Sequence, residues 1–211
     1  MTQFFKVLLL TLCVTTFGFH RAEATPRSAV LIEKAAFHDG MRKLWEDHIT
    51  WTRLYLVSEL NDLPNKDATT KRLLQNQVDL GDAAKPFYGD AGGDKLTALL
   101  KEHILTAAEL VAALKSNNKS KISESQTLWY KNADDIAVFL NAANPENWDL
   151  AHSQQMMKEH LDLTTEEVSA QLKGDWEADI AAYDKIHEQI LKMADMLSDG
   201  IIKQFPDKFN K

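Results

Sequence analysis

Leu44-Trp45-Glu46-Asp47-His48-Ile49, Leu99-Leu100-Lys101-Glu102-His103-Ile104 and Met156-Met157-Lys158-Glu159-His160-Leu161 are one phrase written three times. Each copy has two bulky apolar residues, two polar ones with an acid second, a histidine, and Ile or Leu. The histidines stand 55 and 57 residues apart. A second phrase interleaves with the first. Leu73-Leu74-Gln75-Asn76 with Asp79 matches Trp129-Tyr130-Lys131-Asn132 with Asp135, and Asp184-Lys185-Ile186-His187 sets a histidine where the others have asparagine. These positions are 56 and 55 residues apart. Two phrases alternating at one period describe a repeated two-element unit.

Both elements are helical. Apolar residues recur at three and four positions around each phrase, strand-like alternation is absent, and all five prolines fall at segment edges. The reading is an all-α fold: a six-helix bundle of three antiparallel helical hairpins of about 55 residues each. The expected helices cover 28–60, 67–85, 94–115, 123–143, 149–172 and 175–205, with Gly40 a candidate bend and Tyr88 to Gly93 a connecting loop. The short connections make neighbours antiparallel.

The histidines fall on apolar stripes. His48 follows Leu44 and Trp45 and precedes Trp51, Thr52 and Tyr55; His103 and His160 have equivalent neighbours. His48 to Asn76 is 28 residues, His103 to Asn132 is 29 and His160 to His187 is 27, with a turn near each midpoint. At about 1.5 Å rise per residue, climbing and descending such lengths returns to nearly one height. His48, His103, His160, His187, Asn76 and Asn132 therefore form a polar tier across the bundle, with Asp79, Asp135 and Asp184 one turn away.

Two readings of that tier follow. Buried histidine and asparagine satisfied by one another fix register and need no ligand. Alternatively the tier is a site. Imidazole with nearby carboxylate suits a transition ion such as Zn, Cu or Fe, giving His48, His103, His160, His187, Asp79, Asp135 and Asp184 as candidate metal ligands. A small organic ligand would rest on Asn76, Asn132, Trp51 and Tyr55. An enzyme would use a tier histidine with Asp79, Asp135 or Asp184 as its acid–base partner. Arg53 and Arg72 flank the tier; each either pairs with a tier carboxylate or sits in water, and the second is the preferred reading. Asp175, Glu177 and Asp179 are either a carboxylate pair for acid–base work or, the preferred reading, an acid-rich first turn suited to the helix dipole. Gly-x-Ser-x-Gly, the P-loop, Gly-x-Gly-x-x-Gly and HExxH are all absent.

The first 24 residues read as an export leader: Lys6, an apolar run Val7 to Phe19, and Ala22-Glu23-Ala24 as a small-x-small cleavage site. Mature residues 25–211 then form a single α-helical domain, exported to a periplasmic or secreted location. Cleavage removes the one cysteine, Cys13, so neither a disulfide nor a thiolate metal site is expected. The chain is 211 residues long, 45% hydrophobic and 26% charged, which excludes wholesale disorder. With 31 acidic and 24 basic side chains, its net charge of −7 argues against nucleic acid or an anionic membrane surface as partner.

Five stretches resemble a group of exported bacterial helical proteins with no assigned activity. They are Leu44 to Arg53 (LWEDHITWTR), Arg72 to Asp79, Lys85 to Gly89, Asn132 to Ala137 (NADDIA) and Asp199 to Pro206 (DGIIKQFP). The resemblance spans nearly all of the mature chain and implies a shared helical fold and export. Relatives sometimes carry the labels glycosyltransferase or acetylglutamate kinase. The chain has neither a nucleotide-binding α/β pattern nor a sugar-nucleotide motif.

Overall fold

The structure, a computed structural model, describes residues 26–209, with side chains from Lys34 onward. The expected leader, its cleavage site and Cys13 lie outside the described residues. Five α-helices fill the described residues: α1 Pro26–Leu60, α2 Lys66–Lys115, α3 Lys119–Ala143, α4 Leu150–Lys173 and α5 Trp176–Gln204, followed by a short 3-10 turn, Pro206–Lys208. No strand occurs among the described residues. Each helix packs on the next and α1 also packs on α5, so the ring closes around one interior. No helix among the described residues is long and apolar enough to cross a membrane.

The fold is all-α as expected, with five helices instead of six. The expected second and third helices run together in α2, where only Gly89 leaves helical geometry (φ 73°, ψ 173°). The stretch Tyr88 to Gly93 was expected to be a loop. Helical turns instead continue through it, and one left-handed residue reverses the chain, a conformation glycine adopts without a Cβ penalty. Gly81 and Gly93 show that the two arms fold back on each other. A Cβ on Gly81 would lie 2.6 Å from the Gly93 carbonyl oxygen. In a straight helix, twelve residues would separate them by about 18 Å.

Caps set the other boundaries. Asn118 accepts from the Lys121 N–H at 3.2 Å, which starts α3 four residues before the expected Ser123. Asp149 accepts from the His152 N–H at 2.8 Å, and Asp175 from the Ala178 N–H at 3.1 Å. Both satisfy amide donors that the helix itself cannot. Gly174 (φ 69°) closes α4 in the left-handed conformation. Gly40 causes no interruption of α1. The core is built from Leu161, Ile190, Ala137 and Ala194, all fully buried, with Trp45, Trp129 and Trp148 around them.

Candidate functional site

Three of the four expected tier histidines meet in the interior. His48, His103 and His160 are 3%, 3% and 5% exposed, and the rings of His48 and His160 lie 5.8 Å apart between centroids. The helical stripe puts each ring inward, as the apolar neighbours required.

Each ring is held by a side-chain amide 29 residues further on. His103 Nδ1–H donates to Asn132 Oδ1 at 2.9 Å, and Asn132 Nδ2 donates to the Leu99 carbonyl at 3.1 Å. His160 Nδ1–H donates to Gln189 Oε1 at 3.2 Å, and Gln189 Nε2 donates to the Met156 carbonyl at 2.9 Å. In both hairpins the amide bridges the imidazole to the carbonyl one turn before it. Around His48 two residues divide that role. Asn76 Nδ2 donates to the Leu44 carbonyl at 3.0 Å, while Gln77 Nε2 lies 3.3 Å from His48 Nδ1.

For two of the rings these partners assign the tautomer. His103 and His160 carry their proton on Nδ1. Gln77 Nε2 spends its two protons on the Leu73 and Asn76 oxygens, so its 3.3 Å approach to His48 Nδ1 does not fix the tautomer of that ring. His103 Nε2 accepts from the Trp129 indole N–H at 3.2 Å. His160 Nε2 meets no protein donor among the described residues. Burial, and then the neighbouring imidazoles, push His48 well below the usual imidazole range and His103 down to about 3. Burial takes His160 down to about 4. All three are neutral at pH 7.

Two apolar chambers meet at this tier. One, of about 50 Å³, is walled by Met41, Trp45, Tyr88, Trp148, Met157 and Met193 among others. The other, of about 30 Å³, is walled by Tyr55, Leu73, Leu110, Val111 and Val168. His48, His103 and His160 line both, so the imidazoles are the partition. Neither lining contains a carboxylate. Trp45 lines the larger chamber, and its Nε1 is buried without a hydrogen-bond partner.

The remaining expected site residues lie elsewhere. His187 is not in the tier. It faces outward, half-exposed, with Nε2 2.7 Å from Glu46 Oε1. Two residues of helix rotate a side chain by about 200°, which is why Gln189 takes the inward position and His187 does not. Asp184 is exposed beside it. Asp135 pairs with Lys131 at the surface, and Asp79 is bound by Arg72 and Gln75 at the bundle's edge. Of the expected organic-ligand residues, Asn76 holds backbone and Tyr55 lines the smaller chamber. Trp51 is half-buried under the Arg72 guanidinium, 5.3 Å from its ring. Among the described residues, no group of three or more histidine, cysteine or carboxylate side chains is arranged to hold a metal ion.

A second polar cluster escaped the sequence reading. Arg53 is not solvated. Its Nη1 donates to Glu167 at 2.5 Å, and its two Nη groups span Asp179 at 3.0 and 2.7 Å. Gln171 donates to Asp179 at 3.0 Å, and the guanidinium lies 4.7 Å from the Tyr183 ring centroid. Glu167 and Asp179 are 2% and 4% exposed. Asp179 is thus an interior ion-pair partner and not simply an acid of the first turn. Burial raises Glu167 to about 7 against the opposing pull of Arg53. The inward spacing Val168 to Gln171 and Glu167 to Thr164 was the available signal for Glu167. Nothing local announced its union with Arg53, 114 residues away.

Comparison with protein-family models, with curated proteins and with solved structures returned no match.

Proposed function

We propose that this chain is an exported binding module that takes a small uncharged molecule into its interior, against the histidine tier. The observation that carries this reading is the pair of apolar chambers partitioned by three neutral imidazoles. Well-packed interiors leave few voids larger than a water, and this interior has two on one axis of polar groups. The volumes set the occupant's size. The larger chamber's about 50 Å³ and the smaller one's about 30 Å³ compare with the roughly 10–15 Å³ that one water needs on the same measure, so a few heavy atoms fit. The scaffold reads as three repeated hairpins, each contributing one histidine and its amide anchor.

Charge argues for a neutral occupant. A divalent ion would enter walls without a carboxylate, at a desolvation penalty of several kcal/mol. A Zn, Cu or Fe site would also need several imidazole lone pairs turned inward. His103 Nε2 is engaged by Trp129, which leaves one nitrogen each of His48 and His160 and no carboxylate to join them.

The test is occupancy. Xenon and isobutene are titrated into the mature protein while the methyl resonances of Met157, Met193 and Leu100 are followed by NMR. Saturable shifts at these methyls are expected, and Leu140→Phe, which fills the larger chamber, should abolish them with the helical circular dichroism unchanged. No saturable shift with xenon, isobutene or a polar isostere such as acetone would overturn the reading. The second reading, a tier that only specifies packing, would then stand on the repeated amide anchors.

A further inference from the structure

The larger chamber is apolar except for a few groups, and these differ in what they have left to offer. Tyr88 Oη–H donates to Gln204 Oε1 at 2.7 Å. Trp148 Nε1–H donates to the Met196 carbonyl at 3.3 Å. His103 and His160 spend their Nδ1 protons on Asn132 and Gln189. Trp45 differs from these and from the tautomer-dependent nitrogens of His48, since its indole N–H is a donor in every state: 7% exposed and standing edge-on to His48 with ring centroids 5.6 Å apart, it has no partner. Of the buried polar side-chain atoms left unpaired among the described residues, Trp45 Nε1 is the one belonging to a chamber-lining residue.

Orphaned buried donors are rare in folded proteins, because a donor taken from water is costly unless another acceptor replaces it. An indole N–H can only donate. What completes it must therefore be an acceptor atom. The rest of the wall, with Met41, Leu100, Met157, Met193 and Leu197, requires the remainder of that molecule to be apolar. A carboxylate or phosphate does not fit, since no cation lines the chamber and the imidazoles are neutral.

We infer that the occupant of the larger chamber is a small neutral molecule bearing one oxygen acceptor, of the ketone, ether or alcohol class, whose oxygen accepts a hydrogen bond from Trp45 Nε1–H. This rests on the internal-binding reading above and adds the chemistry of the ligand to it.

Acetone and isobutene separate the two claims, being planar, of equal heavy-atom count and different only in oxygen against methylene. Both are titrated into the mature protein and its Trp45→Phe variant, with methyl shifts giving affinities and the Trp45 indole N–H resonance followed in the unmodified protein. The expected result is that acetone, and not isobutene, moves the indole N–H downfield. The ratio of acetone to isobutene affinity should fall about fivefold or more in Trp45→Phe, the loss of one buried hydrogen bond. An unchanged ratio with an unmoved indole resonance would overturn the inference while leaving internal binding intact. Should Trp45→Phe not fold, the indole resonance alone decides: downfield movement with acetone supports the inference, and its absence overturns it. If neither probe binds, the internal-binding reading fails first and this inference with it.

Discussion

Asn132 holds His103 from both sides of one amide: its Oδ1 accepts from the ring Nδ1 at 2.9 Å, and its Nδ2 donates to the carbonyl of Leu99 at 3.1 Å. Leu99 sits one turn before His103 on the same helix, so the amide locks the axial position of α3 against α2. Asn132→Leu removes both bonds and leaves a buried N–H and carbonyl unpaired. A loss of about 2–4 kcal/mol is expected, combining two unsatisfied groups of about 1–3 kcal/mol each with some relaxation. Urea unfolding of the two proteins measures it.

His160 and His187 should respond in opposite ways. His187 and Glu46 are each about half exposed, and exposed ion pairs contribute little. His187→Ala should therefore stay within about 0.5 kcal/mol of the parent. His160→Ala removes a buried ring and strands Gln189 Oε1, and should cost about 2 kcal/mol or more. Equal effects in thermal melts would refute the assignment of Gln189 over His187 to the tier.

Stability should fall as the solution is acidified below pH 6.5. The three tier imidazoles have folded values depressed below the unfolded one, with His103 near 3 and His160 near 4. Their contribution is therefore full above about pH 6.5 and is lost as pH falls toward 4. Glu167 runs the other way. Its folded value is raised to about 7, so its contribution is full near pH 4.5 and is lost as pH rises through 7. Three groups oppose one, and unfolding near pH 5.5 should take up about two net protons. The slope of unfolding free energy against pH, from urea titrations between pH 5 and 7, gives that number. A flat or inverted slope would contradict the buried neutral tier.

Arg53 neutralises two interior carboxylates, so Arg53→Met should be among the most damaging single changes outside the tier, at about 3–5 kcal/mol. The same variant carries its own check. Without the guanidinium nothing opposes the burial that raises Glu167, so the deficit should shrink as pH is lowered toward 5. Asp179→Asn and Glu167→Gln, each of which keeps one carboxylate for Arg53, should cost less than the arginine variant.

Gly81 and Gly40 test the folding-back of α2. A Cβ at position 81 meets the Gly93 carbonyl oxygen at 2.6 Å and the Thr97 side chain, so Gly81→Ala must separate the two arms and should cost about 2 kcal/mol or more. At position 40 no atom lies within 4 Å, and Gly40→Ala should stabilise α1 by about 0.5–1 kcal/mol. Circular dichroism melts of both variants give the comparison.

Much of this architecture was already legible along the chain. The three-and-four spacing of apolar residues dictates helices, and the repeated phrases orient His48, His103 and His160 inward, because residues within two turns of one helix share a face whatever that helix packs against. Caps such as Asp149 and Gly174 are equally local.

Partnership between helices is not local. One residue of axial shift turns a side chain by about 100°, so spacings of 28, 29 and 27 residues cannot all name the inward partner. The tertiary register selects 29 for His103 and His160 and turns both Asn76 and Gln77 inward at His48, which brings in Gln77 and Gln189 and leaves His187 outward. The same register unites Arg53 with Glu167 and Asp179 across more than a hundred residues, and leaves Trp45 facing a chamber without a partner. Periodicity determines which face of a helix is buried. Only the packed bundle decides what stands opposite that face, because this depends on the rotation and height of neighbours that no local pattern encodes.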